Sequence, residues 1–408
     1  MKTSLAALAL GLASIALPTT AGAAVAQEAQ EQKQIVLSEA AGPAITALEN
    51  AQKAQDWAAL PGLYDAAIAL AAKPDDVYYA NVIKLRAGVA MNDPVMQGEA
   101  VLGMADSGFD AATALVGNMV TIANANLAAG NLDLAGRLLE RADALRPNDP
   151  TTNVLLGEVF YQNDNPEAAT QAFQKAIALQ RATGQEVSDS WYRRAIQTLQ
   201  EAEKPVPASL ILLWASDYPT SDVLGKSVRL YRPVSGLTDA ELIDLWRFQR
   251  AVDAMVSEYE FVSFADELFA AGYPGEALAV LEEGIAAGVI DPDTDNNKRR
   301  LSRARENARG ERDTIGSDAS AARSAAEAGR AIAVGDLYYG YDDFANAATL
   351  YEVALGKPGA DADLVNLRLG AARARAGDHA GARSALEAVS GKYETLAKFW
   401  LAWVDSQG

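Results

Sequence analysis

One stretch, residues 130–176, limits the fold more than any other. Ala135, Leu139 and Ala142, followed by Pro147, recur about one repeat length later as Ala169, Phe173 and Ala176. Spacings of three and four place each set on a single helical face. The small residues let two helices approach closely, and the large ones fill the gap between them. Leu156, Gly157 and Phe160 form the matching face of the helix that precedes the second set. A hairpin of this kind cannot bury its faces alone, so the pattern calls for neighbours stacked on either side.

The pattern resembles the tetratricopeptide repeat, a helix pair of about 34 residues. The same offsets return in Phe264, Ala265, Leu268, Gly272, Ala277 and Leu281, and again in Val334, Gly335, Tyr338, Ala347, Tyr351 and Ala354. They return once more in Leu369, Gly370, Gly377, Ala382 and Leu386, where Arg373 replaces the expected aromatic. The best matches lie near 116–182, 258–290 and 328–390. Residues 45–70, 78–105, 190–216 and 222–255 read as weaker pairs. Residues 291–330 are poor in apolar side chains, and helices there follow from the period alone. Pro166, Pro205 and Pro274 stand where second helices should begin, with Pro94 one position earlier; proline is tolerated in a first helical turn. Residues 393–404, with Phe399, Trp400 and Trp403, read as a terminal capping helix. The resemblance implies an all-α superhelical solenoid of about ten antiparallel helix pairs. It would run as one continuous array over 27–408, with a bend in 217–256.

The first 26 residues have a different character. Met1-Lys2 precedes a short apolar run, Leu5 to Leu17, and small-x-small cleavage patterns at Ala21-Gly22-Ala23 and Ala24-Val25-Ala26. This is the grammar of a secretory signal peptide, 1–26. The expected location is the bacterial periplasm or the medium. No later run is apolar and long enough to span a bilayer, so the mature protein is expected not to be membrane-spanning. The chain contains no Cys, one His and a formal charge of -19. Disulfides, thiolate metal sites and multi-histidine metal sites are therefore excluded. The acidic balance disfavours nucleic acid.

Function should lie on the first helices, which face the concave groove in this family. Three good repeats carry an acid and an aromatic three residues apart at equivalent positions. These are Glu158 with Tyr161, Asp266 with Phe269, and Asp336 with Tyr339. Each pair would offer negative charge beside a flat apolar surface, suited to Lys- or Arg-bearing segments. The expected partner is a protein or peptide with basic and apolar segments. The family's carboxylate clamp is not reproduced, because Val154, Glu158 and Gln162 occupy its positions.

Other features read as structural. Asp291, Asp293, Asp295 and Asn297 alternate as in a calcium loop, but the turn glycine and the distal Glu are replaced by Asn296 and by Leu301 and Ser302. A helix-capping loop fits better, and no metal or cofactor is expected. Lys298, Arg299, Arg300, Arg303, Arg305, Arg309 and Arg312 form a basic run. It reads first as a helix neutralising the array's own charge, and second as a docking strip for an acidic partner. His379 has no partner motif around it. Nucleophile-elbow, phosphate-loop and dinucleotide motifs are absent from the sequence. The reading is a non-enzymatic binding scaffold of the periplasm or cell envelope. Its alternatives are an envelope assembly factor or chaperone, and a carboxylate-dependent glycan-cleaving enzyme on a helical scaffold.

Overall fold

Helix hairpins build the chain wherever the small-and-large pattern is clear. The structure is a computed structural model that describes residues 34–109 and 112–407. The leader pattern at 1–26 lies outside the described residues. Packing divides the chain into two units, one ending at Gln185 and the other beginning at Glu186. Each is described by itself.

The N-terminal unit contains α1 (Gly42–Lys53), α2 (Leu60–Ala69), α3 (Pro74–Ala90), α4 (Pro94–Asp106), α5 (Val116–Ala128), α6 (Leu132–Leu145), α7 (Pro150–Gln162) and α8 (Pro166–Ala182). They pack as four successive pairs. The entering chain is fastened to α3: the Ser38 N–H donates to Asp76 Oδ1 (2.8 Å), and the Val36 N–H donates to Asp75 Oδ1 (2.9 Å). Between pairs, buried Asn126 on α5 donates to the Pro94 carbonyl at the start of α4 (2.7 Å) and to Ile122 O on its own helix. That bond fixes one hairpin against the next.

The C-terminal unit contains α9 (Asp189–Glu201), α10 (Ala208–Asp217), α11 (Ser221–Tyr231), α12 (Asp239–Ala251), α13 (Glu258–Ala271), α14 (Pro274–Ala286), α15 (Asp295–Ser324), α16 (Ala328–Gly340), α17 (Phe344–Leu355), α18 (Ala362–Arg375), α19 (His379–Glu387) and α20 (Glu394–Ser406). Among the described residues no strand occurs. No described helix is long and apolar enough to cross a membrane.

A constant relation ties the good pairs together. A small residue on the first helix meets a large one sixteen positions later on the second. Ala123 and Leu139, Gly157 and Phe173, Ala265 and Leu281, Gly335 and Tyr351, and Gly370 and Leu386 all stand this way, and their apolar members are buried. A Cβ on Gly157 would lie 2.6 Å from the Phe173 ring, and one on Gly335 2.7 Å from Tyr351. These glycines exist to let a ring seat against backbone.

The turns inside the hairpins share a grammar as well. Asn92, Gly130, Asp164, Gly272, Asp342 and Gly377 all adopt positive φ, which glycine, Asn and Asp tolerate best. The next residue caps the second helix in four of these turns: Asp93, Asn165, Asp343 and Asp378 accept from backbone N–H groups of the first turn. Pro94, Pro166 and Pro274 begin second helices as expected. Pro205 does not: α10 starts at Ala208, with Pro207 at its N-cap.

Two segments depart from the expected repeat. The region 291–330 is not a hairpin; it is dominated by the single 30-residue helix α15. No positive-φ turn followed by a capping residue interrupts it, and its Ala- and Arg-rich sequence favours uninterrupted helix. Thr294 is its N-cap, accepting from the Asn297 N–H, and Asn297 donates to Asp291 O and to Glu258. The candidate calcium loop is thus folded into helix capping. The second departure is α12, within the segment read as a bend. It packs on its sequence neighbours α13 and α11 but also touches the distant α18, with side chains reaching α14 and α16. Its other side meets the capping helix α20 through Phe248, which packs on Phe399 and Trp400.

Candidate functional site

Side chains of the same chain already occupy two of the three acid–aromatic pairs. Asp336 and Tyr339 on α16 are 1% and 3% exposed. They do not line an open groove as expected, because Arg247 of α12 fills the space. Its guanidinium lies 4.8 Å from the Tyr339 ring centroid and donates to Asp336 Oδ1 at 3.1 Å. The same group grips Glu276 on α14 through two nitrogens, at 3.0 and 2.6 Å. On the other side of Asp336, Arg368 of α18 donates to Oδ2 at 2.8 Å while holding Asp244 of α12 in a fork. Tyr351 and Tyr273 donate to the two Asp336 oxygens at 2.7 and 2.9 Å. Four donors thus satisfy a carboxylate that has four acceptor sites.

The electrostatics of this clasp follow from its geometry. Burial pushes the Asp336 carboxyl upward, and Arg368, Arg247 and the two tyrosine hydroxyls outweigh that and hold it below the usual carboxylate range. Burial beside the Asp336 charge raises Tyr351 and Tyr273 well above an ordinary phenol. Burial disfavours the Arg247 charge, but Glu276 and Asp336 more than compensate. Just outside the clasp, Arg250 forks onto Glu283 and reaches Asp342 at 3.4 Å.

The second pair, Asp266 and Phe269 on α13, faces α15. Arg300 donates to both Asp266 oxygens at 3.2 Å, and the Arg303 guanidinium lies 5.1 Å from the Phe269 ring centroid. Two members of the basic run therefore neutralise and cover the unit's own acid and ring. Arg312 stands likewise over Tyr341, at 4.8 Å.

The third pair, Glu158 and Tyr161, lies one turn apart on α7 in the N-terminal unit. Both side chains are half-buried, and each interacts with neighbours inside the chain. The structure thus separates the three pairs: one is enclosed by α12, one is bridged by α15, and one stays at the surface of α7.

Sequence reasoning missed Arg247, Arg368, Asp244 and Glu276. A signal was present in α12, where Asp244 and Arg247 stand three apart among the apolar residues Ile243, Leu245, Trp246 and Phe248. Charges on such a face require partners once buried.

What decides the architecture is the sixteen-residue small-to-large relation repeated through hairpins with a common turn. The fold is tetratricopeptide-like. No family model matches the chain, and no curated protein matches it. Among solved structures, the APC/C hetero-tetramer Cut9–Hcn1 is similar over 88% of this chain at 15% identity, with a TM-score of 0.25; this chain spans 66% of that one's length. A tetratricopeptide repeat protein from Parabacteroides merdae is similar over 72% of this chain and 98% of its own, at 14% identity and a TM-score of 0.22. A circular tandem repeat protein with novel repeat topology is similar over 89% of this chain and 69% of its own, at 14% identity and a TM-score of 0.10.

Proposed function

We propose that the mature chain is a non-enzymatic, protein-binding scaffold of the bacterial cell envelope. In this reading it docks Arg- or Lys-bearing segments on tetratricopeptide-like helix faces. One observation carries it: Arg247 sits on Asp336 and Tyr339, and Arg300 with Arg303 sits on Asp266 and Phe269. Acid and ring three residues apart on these helices thus attract helix-borne arginines twice, one arginine on both members at Asp336/Tyr339 and two separate arginines at Asp266/Phe269. Glu158 and Tyr161 repeat that residue pair at the surface of α7, where a partner's basic segment would join the contacts they already make. The leader pattern at 1–26 supports export to the periplasm. The carboxylates that converge most closely, Asp244, Glu276 and Asp336, are buried among arginines. That fits a clasp better than an acid–base pair, whose members need separated proton affinities and access to substrate.

The test is affinity capture from envelope extract with the mature protein and with Glu158→Gln/Tyr161→Ala. The expected result is one dominant partner whose recovery falls about tenfold with the double variant, equivalent to about 1.4 kcal/mol. A broad set of weakly held clients, unchanged by the variant, would favour the chaperone reading instead.

A further inference from the structure

The outer face of α15 carries charge opposite to that of Glu158 on α7. α15 follows α14 after a short loop, packs along α14 and meets α16 and α17 on the other side. It buries Leu301, Ala304, Ala308, Ala319 and Ala322 and exposes most of the rest. Along its first half runs a groove of about 840 Å³, with Ile285, Pro292 and Leu301 as its apolar lining. Lys298, Arg305 and Arg309 border that groove. Their spacings of seven and four put them on one stripe, about 16 Å long at 1.5 Å per residue.

Six of the eight bases of α15 fall into two sets. Arg300, Arg303 and Arg312 turn to the unit's own acids and rings. Lys298, Arg305 and Arg309 turn to the groove. Lys298 and Arg305 reach Asp293 and Glu282 only at 3.4 Å, between side chains that are all more than half exposed. Such pairs contribute about 0–1 kcal/mol and exchange readily for another carboxylate. Arg309 has no ion pair among the described residues. Glu306 and Asp313 lie along one flank of the groove, so an incoming acid is steered to the stripe and away from that flank.

We propose that this groove docks an amphipathic helix of a partner protein, with an apolar edge over Ile285 and Leu301 and a row of carboxylates on Lys298, Arg305 and Arg309. Charge complementarity selects the occupant, since the stripe offers exposed cations in a chain of net charge -19, and the arrangement follows the helix-in-groove mode of recognition. The proposal is independent of α7 and can fail while binding at Glu158 and Tyr161 holds.

The test is fluorescence anisotropy on the mature full chain. The probe is a labelled amphipathic peptide of about eighteen residues, with leucines along one face and glutamates flanking them; a control peptide carries lysines in place of glutamates. The glutamate peptide should bind and the lysine peptide should not. Binding should weaken as salt screens the stripe. Arg305→Glu/Arg309→Glu should weaken it about tenfold or more, while the charge-matched Arg137→Glu/Arg146→Glu, on exposed residues of α6 and its C-cap, should leave it unchanged. Unaltered thermal melts establish that both variants fold, as substitutions at exposed positions should allow. Failure of the glutamate peptide to bind, equal binding by Arg305→Glu/Arg309→Glu, or equal binding of the lysine peptide would overturn the proposal. So would Arg305- and Arg309-dependent binding of heparin or phosphatidylglycerol vesicles without binding of the peptide, since the stripe would then be a polyanion site.

Discussion

Arg247 is 3% exposed and faces three carboxylates, so its loss leaves charges that water cannot reach. Arg247→Met should destabilise the C-terminal unit by about 3–5 kcal/mol, the usual cost of orphaning a buried charge. Arg247→Met/Glu276→Met should recover a large part of it, because removing both members of a buried pair is often near neutral. Chemical denaturation of the four members of that cycle measures the coupling. Glu241 gives a pH handle on the same unit. Lys392, Thr238 and Tyr393 bind its carboxylate and hold its pKa down to about 2, from an ordinary 4.5. A depressed carboxylate stabilises fully above the unfolded value and loses that contribution as pH falls through the folded one. The melting temperature should therefore fall between about pH 4.5 and 2, and Glu241→Gln should flatten that slope. At this scale the sequence was legible in type but not in pairing. An acid and a ring three apart suggested a place for a cation, yet nothing local to Asp336 says that the arginine beside it comes from position 247 of the same chain.

Hairpins were legible because their grammar is local. A small residue, a large one sixteen later, a positive-φ turn and a capping Asp or Asn all lie within one repeat, so their positions can be read without knowing the fold. The departures were not legible for the opposite reason. α12 is amphipathic like its neighbours, and nothing local says that its charged side chains reach α14, α16 and α18. In α15 the signal was the lack of a turn, which a search by period overlooks. The ring-to-glycine contact makes the element-level account testable. Gly335→Ala would press a methyl against Tyr351, whose hydroxyl is tied to Asp336. It should destabilise by about 1–3 kcal/mol despite alanine's better helix propensity. The same substitution at Gly310 of α15, where nothing lies within 4 Å, should be neutral or slightly stabilising. Urea denaturation of the two variants side by side distinguishes crowding from propensity.

Taken whole, the chain spends its charge in three ways. Acids and arginines lock α12 into the C-terminal unit, the inward bases of α15 cover acids of the same unit, and what remains at the surface is available for recognition. A net charge of -19 keeps such a surface soluble and repels similar chains. The central claim is that an acid–aromatic pair on α7 receives a basic segment of another protein, as its counterparts receive arginines of this one. Site-specific photocrosslinking from position 161 of the protein, in cells, tests it most directly. The account predicts a discrete adduct with one envelope protein, a crosslinked segment that carries Lys or Arg, and loss of the adduct in Glu158→Gln. An adduct that survives Glu158→Gln, or a captured segment that is acidic, would contradict it.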